Sequence, residues 1–475
     1  MNFKAPGSFK SPSAFRARLA ELDLSIELDD TLEGSAGPLG APLEVAGLHI
    51  PNRFVVHPME GWDGTRGGSP TTRTFRRWRN FGRSGAGLIW GGEAFAVTAA
   101  GRANPHQLHL HEGDVVGDLS RLIDEVRAGR TEMELATDAG PIGLQLTHSG
   151  RWSRPDDGPA PQIAAHDPLL DARVGVAADA PLLSDDELQQ IRDRYVTAAT
   201  LAQRAGFDFV DLKACHGYLA HELLGARSRP GRYGGDFEGR TRFLFELIDA
   251  VRAACPGLAV GVRISLADVV PHRADPLTRE GRPAARSWQH GFGVDHDTPT
   301  QFQLDEPMRL LTALVERDVR LVNVTLGSPY YNPHLQRPAA YPPSDGYQPF
   351  ADPLIHVARH LDVVREAKAR VPGVVLVGTG YTYLMEWLPH VAQAEVRAGR
   401  VDLIGLGRMM LSYPELPYDV LAGRELARKR ICRTFSDCTT APRHGLASGC
   451  YPLDPAYRDA AEATRVKALK DAMRR

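Results

Sequence analysis

Between residues 53 and 423, short apolar runs alternate with longer amphipathic segments eight times over. The runs fall at 53–57, 87–91, 142–146, 208–212, 259–264, 321–325, 373–378 and 401–406, and read as buried strands. The segments between them predict helices over 71–83, 115–127, 185–205, 240–254, 306–317, 355–370, 383–398 and 415–423. The clearest start is Ser184, where Glu187 completes a capping box and Leu188, Ile191, Tyr195 and Ala198 follow on one helical face. Eight strand-then-helix units belong to the α/β class and predict a closed parallel (β/α)8 TIM barrel. The competing open, doubly wound sheet lacks its usual mark, since no Gly-x-Gly-x-x-Gly follows any predicted strand.

The flanks divide the chain into residues 1–42 as an N-terminal extension, 43–425 as the barrel, and 426–475 as a cysteine-containing appendage ending in a helix. Phe15, Leu19 and Leu22 predict a helix from Ser13 to Leu28, and Asp29–Ala41 reads as a linker. Leu43–Ile50 predicts a hairpin closing the barrel floor, and Pro455–Arg475 a terminal helix. Two long connections, 149–184 and 265–304, follow predicted strands, which puts them on the catalytic face as expected lids. With 56 basic and 58 acidic residues the net charge is −2, so neither nucleic acid nor a membrane surface is an expected partner. The start MNFKAPGSFKSPSAF lacks the apolar core of a secretory signal, no apolar run reaches membrane-span length, and five cysteines make no disulfide framework. The expected compartment is the cytoplasm, and the oligomeric state is unreadable, a homo-oligomer included.

Chemistry concentrates at the end of the fourth strand. Lys213, Cys215, His216 and Tyr218 lie within six residues there, where α/β barrels carry reactive groups. On spacing alone Lys213 also reads as a solvated loop lysine and His216 as a structural histidine. After the seventh and eighth strands, Val377-Gly378-Thr379-Gly380 and Gly405-Leu406-Gly407-Arg408 bring glycines and a cation to the usual phosphate position of a barrel. Taken singly, each is also an ordinary turn.

The run K-x-C-H-G-Y-L from Lys213, followed by Tyr233-Gly234-Gly235-Asp236-Phe237-Glu238-Gly239-Arg240-Thr241-Arg242-Phe243, resembles the Old Yellow Enzyme family of flavin-dependent ene-reductases. The resemblance covers roughly residues 43–425. It implies non-covalent FMN, reduction by NADH or NADPH, and ping-pong delivery of hydride to an electron-poor alkene, with a small molecule as substrate. It implies Tyr218 as proton donor and His216 with Lys213 as the pair holding the substrate carbonyl oxygen. For the flavin ring it implies Pro58, Met59 and Glu60 of His57-Pro58-Met59-Glu60, Ala94 of Glu93-Ala94, Gln145 at the pyrimidine edge, and Arg263 as the cation near N1/O2. Gly378, Gly380, Gly407 and Arg408 become phosphate ligands.

Two positions depart from the family pattern. Lys213 replaces a histidine, and Glu60 replaces a Thr or Cys near flavin O4 and N5, which makes Glu60 a fourth candidate catalytic residue. These changes admit the amine-dehydrogenating and demethylating branches of the superfamily. A Schiff-base lyase using Lys213 and a flavin-binding sensor are the readings from other classes. Larger relatives carry a four-cysteine iron–sulfur motif after the barrel and a dinucleotide-binding domain beyond it. Here Cys438–Cys450 keeps only its last gap, Cys432 is off by one and a fourth thiolate is missing, so a remnant without metal is expected.

Overall fold

The computed structural model describes residues 3–474. Parallel strands follow one another around a ring in the order Leu88–Ile89, Phe54–Val56, Leu403–Leu406, Val375–Gly378, Leu321–Leu326, Ala259–Ala267, Phe209–Ala214, Gly143–Thr147 and Ala94–Ala96. The two ends of that order are halves of one barrel strand. Ile89 bridges Ile142 in parallel and donates its N–H to the Pro141 carbonyl at 3.0 Å, which closes the ring. The strand breaks at Gly91 and Gly92, with φ of 149° and 41°. A Cβ on Gly91 would sit 2.8 Å from the Gln145 nitrogen, and one on Gly92 2.8 Å from the Trp78 ring. The break is thus a close approach that only glycine permits.

The (β/α)8 barrel expected from the alternation is the fold. The hairpin Leu43–Val45 with Leu48–Ile50 pairs antiparallel. Its Val45 and Ile50 join Val55, Leu88, Trp90, Phe209, Leu321, Val377 and Leu403 in a buried cluster. The helices pack outside on a second, larger apolar layer. Asp185–Ala205 shows why its sequence signal was strong. Ser184 Oγ accepts from the Glu187 N–H at 3.2 Å while Glu187 Oε2 accepts from the Ser184 N–H at 2.7 Å. Gly206, at φ 99°, ends it.

Several expectations need correction. The first helix is only Pro12–Glu21; Asp23 at φ 52° turns the chain, and Ile26 and Leu28 then run extended to bury against the barrel. Asp29–Ala41 is not a loose linker, since Gln393 donates to the Asp29 carboxylate at 2.6 Å and to the Thr31 carbonyl at 2.9 Å. The helix expected at 383–398 is a 3-10 segment, Tyr381–Trp387, that restarts as Leu388–Arg397 with Pro389 in its first turn. The terminal helix is broken into Pro455–Arg458 and Glu462–Arg474, and Arg475 lies outside the described residues. The break lets Tyr457 and Val466 bury in one cluster with Tyr451. Arg76 grips Asp454 with two bonds of 2.8 Å each, fastening the appendage to the barrel. Among the described residues no helix is long and apolar enough to cross a membrane.

The two long connections pack on each other. Leu170, Val270, Trp288, Val294 and Tyr331 form one apolar cluster, and Trp288 Nε1 donates to Asp167 at 3.0 Å. Neither connection reaches the cavity at the strand ends. Its cover comes from the segment after the sixth strand, Pro329–Pro338, and from the appendage around Cys438–Ser448.

Candidate active site

The cavity, about 220 Å³, opens where the barrel strands end. Twelve of the thirteen residues singled out in the sequence line it: Pro58, Met59, Glu60, Ala94, Gln145, Lys213, His216, Tyr218, Arg263, Gly380, Gly407 and Arg408. Gly378 is the exception. A Cβ there would point at the Tyr381 hydroxyl and Val401, so it faces away from the cavity.

At the centre is a polar constellation drawn from three strand ends. The Tyr218 hydroxyl donates to Glu60 Oε1 at 2.7 Å and lies 2.8 Å from the Tyr330 hydroxyl. The Lys213 ammonium is 3.4 Å from the same Glu60 oxygen and 3.7 Å from the centre of the Tyr218 ring. Lys213 is therefore a paired, buried cation, and the solvated-lysine reading fails. Burial first, then the Glu60 carboxylate, holds the Tyr218 pKa well above its ordinary value. Tyr330 is fixed from behind by Trp152, stacked at 4.3 Å and 8°. The 149–184 connection thus supports the cover without forming it.

His216 adopts φ 66°, uncommon for a histidine. Three bonds hold it there. Its N–H donates to Ser265 Oγ at 3.0 Å, its carbonyl accepts from Ser328 Oγ at 2.7 Å, and its Nε2 faces Gln336 at 3.2 Å. Burial, then the Arg263 and Lys213 charges, pushes its pKa far down, so its imidazole is neutral. Cys215 is buried, its thiol pushed up to about 11, so no thiolate is offered.

The opposite wall carries Arg263. It is 4% exposed, its Nε has no hydrogen-bond partner, and no carboxylate lies within ion-pair distance among the described residues. Burial lowers its pKa. A structural arginine at this depth would be half of an ion pair. Beside it, Gln145 donates to Asp211 at 2.5 Å, and burial raises the Asp211 carboxyl to about 6.

The glycine-rich ends divide their work. A Cβ on Gly405 would lie 2.0 Å from the His57 ring, so Gly405 exists to admit that histidine. Its Nδ1 faces the Asn323 amide and its Nε2 faces Thr379 Oγ1, each at 3.1 Å. Burial, then Arg263, keeps it neutral. Gly407 is different, because a Cβ there would meet nothing closer than Met59 sulfur at 3.7 Å. That open face lies next to Arg408, whose Nη2 donates to the Pro338 carbonyl at 2.9 Å and whose Nη1 has no partner.

Sequence reasoning missed Tyr330, Gln336, Arg337, Thr439 and Arg443, all of which line the cavity. The usable signal for Tyr330 was its place just past the sixth strand. Nothing in the sequence linked the appendage residues to the mouth. Cys432, Cys438 and Cys450 are free thiols, and among the described residues no group of three potential ligands is arranged for a metal ion.

Comparison with known proteins identifies the family and the fold. The sequence profile of the NADH:flavin oxidoreductase / NADH oxidase family matches residues 38–279. The NADPH dehydrogenase of Geobacillus thermodenitrificans is 29% identical over 400 residues, covering 82% of this chain and 95% of that protein. Two solved structures share the fold. The Old Yellow Enzyme homologue of Zymomonas mobilis superposes with a TM-score of 0.56 at 22% identity, over 82% of this chain and 94% of that one. The 6-hydroxypseudooxynicotine amine oxidase of Pseudomonas geniculata gives 0.63 at 20% identity over 90% of this chain. The present chain spans little more than half of that amine oxidase, 56%.

Proposed function

The chain belongs to the NADH:flavin oxidoreductase / NADH oxidase family and is an FMN-dependent NAD(P)H oxidoreductase, and we propose that it reduces the C=C bond of an electron-poor alkene. The residues present fit FMN. The buried Arg263, with no ion-pair partner among the described residues, suits the pyrimidine edge, where reduction builds negative charge, and Gln145 offers a polar partner beside it. The open face of Gly407, the turn at Gly380 and the unpartnered Arg408 Nη1 suit the phosphate. When bound there, FMN would supply hydride transfer between NAD(P)H and the β-carbon of the alkene.

The chain's own residues would supply the rest. Lys213 and neutral His216 would hold the substrate carbonyl oxygen as it gains negative charge. Tyr218 would deliver its proton to the α-carbon. Its high pKa keeps that proton in place until a strongly basic carbon forms. The phenolate left behind would sit beside the Glu60 carboxylate, a costly pairing, and the Lys213 ammonium 3.7 Å from the ring offsets it. Tyr330, 2.8 Å away, could return a proton.

The observation that carries this reading is the buried Arg263 cation, which has no carboxylate within ion-pair distance among the described residues and only the more distant Asp211 to offset its charge, in the same cavity as the Tyr218 hydroxyl. The ion-paired Lys213 counts against a Schiff-base lyase, because its amine would first have to lose both its proton and its Glu60 partner. The test is anaerobic stopped flow on Tyr218→Phe. The nicotinamide half-reaction should change by less than about threefold, while reoxidation by an enone should slow on the order of a hundredfold. Equal slowing of both halves would contradict Tyr218 as proton donor.

A further inference from the structure

The charge lining the cavity does not balance. Lys213, Arg263, Arg337, Arg408 and Arg443 face it, against Glu60 as the only carboxylate among the described residues. Lys213 is answered by Glu60. Under the reading above, Arg263 and Arg408 are answered by the flavin ring and the phosphate. Arg443 has Asp345, 2.6 Å from its Nε, but that carboxylate stands outside the cavity and is half exposed. Arg337 has no carboxylate within ion-pair distance among the described residues, and Asp345, which Arg443 already holds, offsets its charge only from further away. The Arg337 Nη1 donates to the neutral Thr439 hydroxyl at 2.8 Å, and its Nε and Nη2 have no partner.

These two arginines sit over the reacting end. Arg443 lies 5.1 Å above the Tyr330 ring, and Tyr330 touches the Tyr218 hydroxyl. Arg337 follows Gln336, the neighbour of His216. They come from the cover and the appendage, whereas the phosphate ligands come from the seventh and eighth strand ends. Burial above all drives the Arg337 pKa down to about 10, the nearby Arg443 and Arg408 charges add to the fall, and Asp345 opposes it. One negative charge brought in by a ligand would relieve this wall.

We propose that the physiological substrate is an anion, an electron-poor alkene carrying a carboxylate that Arg337 and Arg443 grip above the flavin. This rests on the reading of the cavity as a flavin and alkene site. A carboxylate suits a guanidinium fork, and a single surplus cation calls for a monoanion.

The test compares monomethyl fumarate, an anion, with dimethyl fumarate, its neutral counterpart. Binding is read without reductant from the shift of the oxidised flavin band, and turnover from kcat/KM with NAD(P)H. Wild type should bind the acid at least tenfold more tightly than the diester. Arg337→Met and Arg443→Met should each lower the acid-over-ester ratio at least tenfold in both readouts, with flavin content retained. A flavin-bearing protein that reduces the diester but shows no preference for the acid would overturn the proposal and leave the ene-reductase reading standing. A protein without flavin would overturn both. Loss of flavin in Arg337→Met would assign that arginine to the cofactor phosphate and overturn the proposal. Where a variant fails to fold, the wild-type ratio alone decides.

Discussion

Replacing Arg263 with methionine should make the apoprotein more stable while weakening its hold on FMN. Arg263 is 4% exposed and, among the described residues, lacks a carboxylate within ion-pair distance and has an Nε with no partner. Desolvating an ion costs several kcal/mol even after relaxation, so an unbranched apolar side chain of similar length should raise apoprotein stability by about 1–3 kcal/mol. A charge-assisted hydrogen bond contributes about 1.5–3 kcal/mol, so its loss should weaken FMN binding roughly ten- to a hundredfold. The reduction potential of bound flavin should fall as well, because the cation favours the reduced, anionic ring. The assays are denaturant unfolding of the flavin-stripped protein and fluorescence titration with FMN. A variant less stable than wild type as apoprotein, with unchanged FMN affinity, would show that Arg263 serves the fold and not the cofactor.

Two further substitutions follow from the same geometry. Gly405→Ala places a methyl group 2.0 Å from the His57 ring, so it should cost about 1–3 kcal/mol and displace His57 from Thr379, visible as a lower melting temperature and reduced flavin content. Asp211 is raised from an ordinary 3.8 to about 6 by burial. The folded protein therefore holds a proton that the unfolded chain has lost between those values, and stability falls as pH rises through that window by about 3 kcal/mol. Asp211→Asn should remove that fall, gaining most above about pH 6 and little below about pH 4; urea midpoints across the range check it, and a parallel offset at every pH would refute it.

The barrel was legible because its strands are apolar on both faces and its helices carry their own caps, as at Ser184 and Glu187. Lys213, His216 and Tyr218 stood out as a run of reactive groups at a strand end, but on spacing alone a structural reading stood beside the functional one, and their expected roles came from the family resemblance. What was lost depended on contacts between distant segments. The length of 149–184 and 265–304 suggested lids, but length does not say where a loop leans. Trp288 on Asp167 and Trp152 on Tyr330 turned both into buttresses. The shorter segment after Leu326 holds Tyr330 and Arg337, and its aromatic and basic residues carry no periodic signal. Likewise Gly378 read as a phosphate glycine, and only its approach to Tyr381 and Val401 reveals that it faces away from the cavity.

The decisive measurement is the visible spectrum of the freshly purified protein, followed under anaerobic conditions as NADPH and then NADH is added, and then an enone. A two-peaked flavin band that bleaches with nicotinamide and returns with the enone is the expected result. A band that bleaches with neither nicotinamide but does so with an amine would move the chemistry to amine oxidation. No flavin, even after reconstitution with FMN, would contradict the reading of Arg263, Gly407 and Arg408 as a cofactor site.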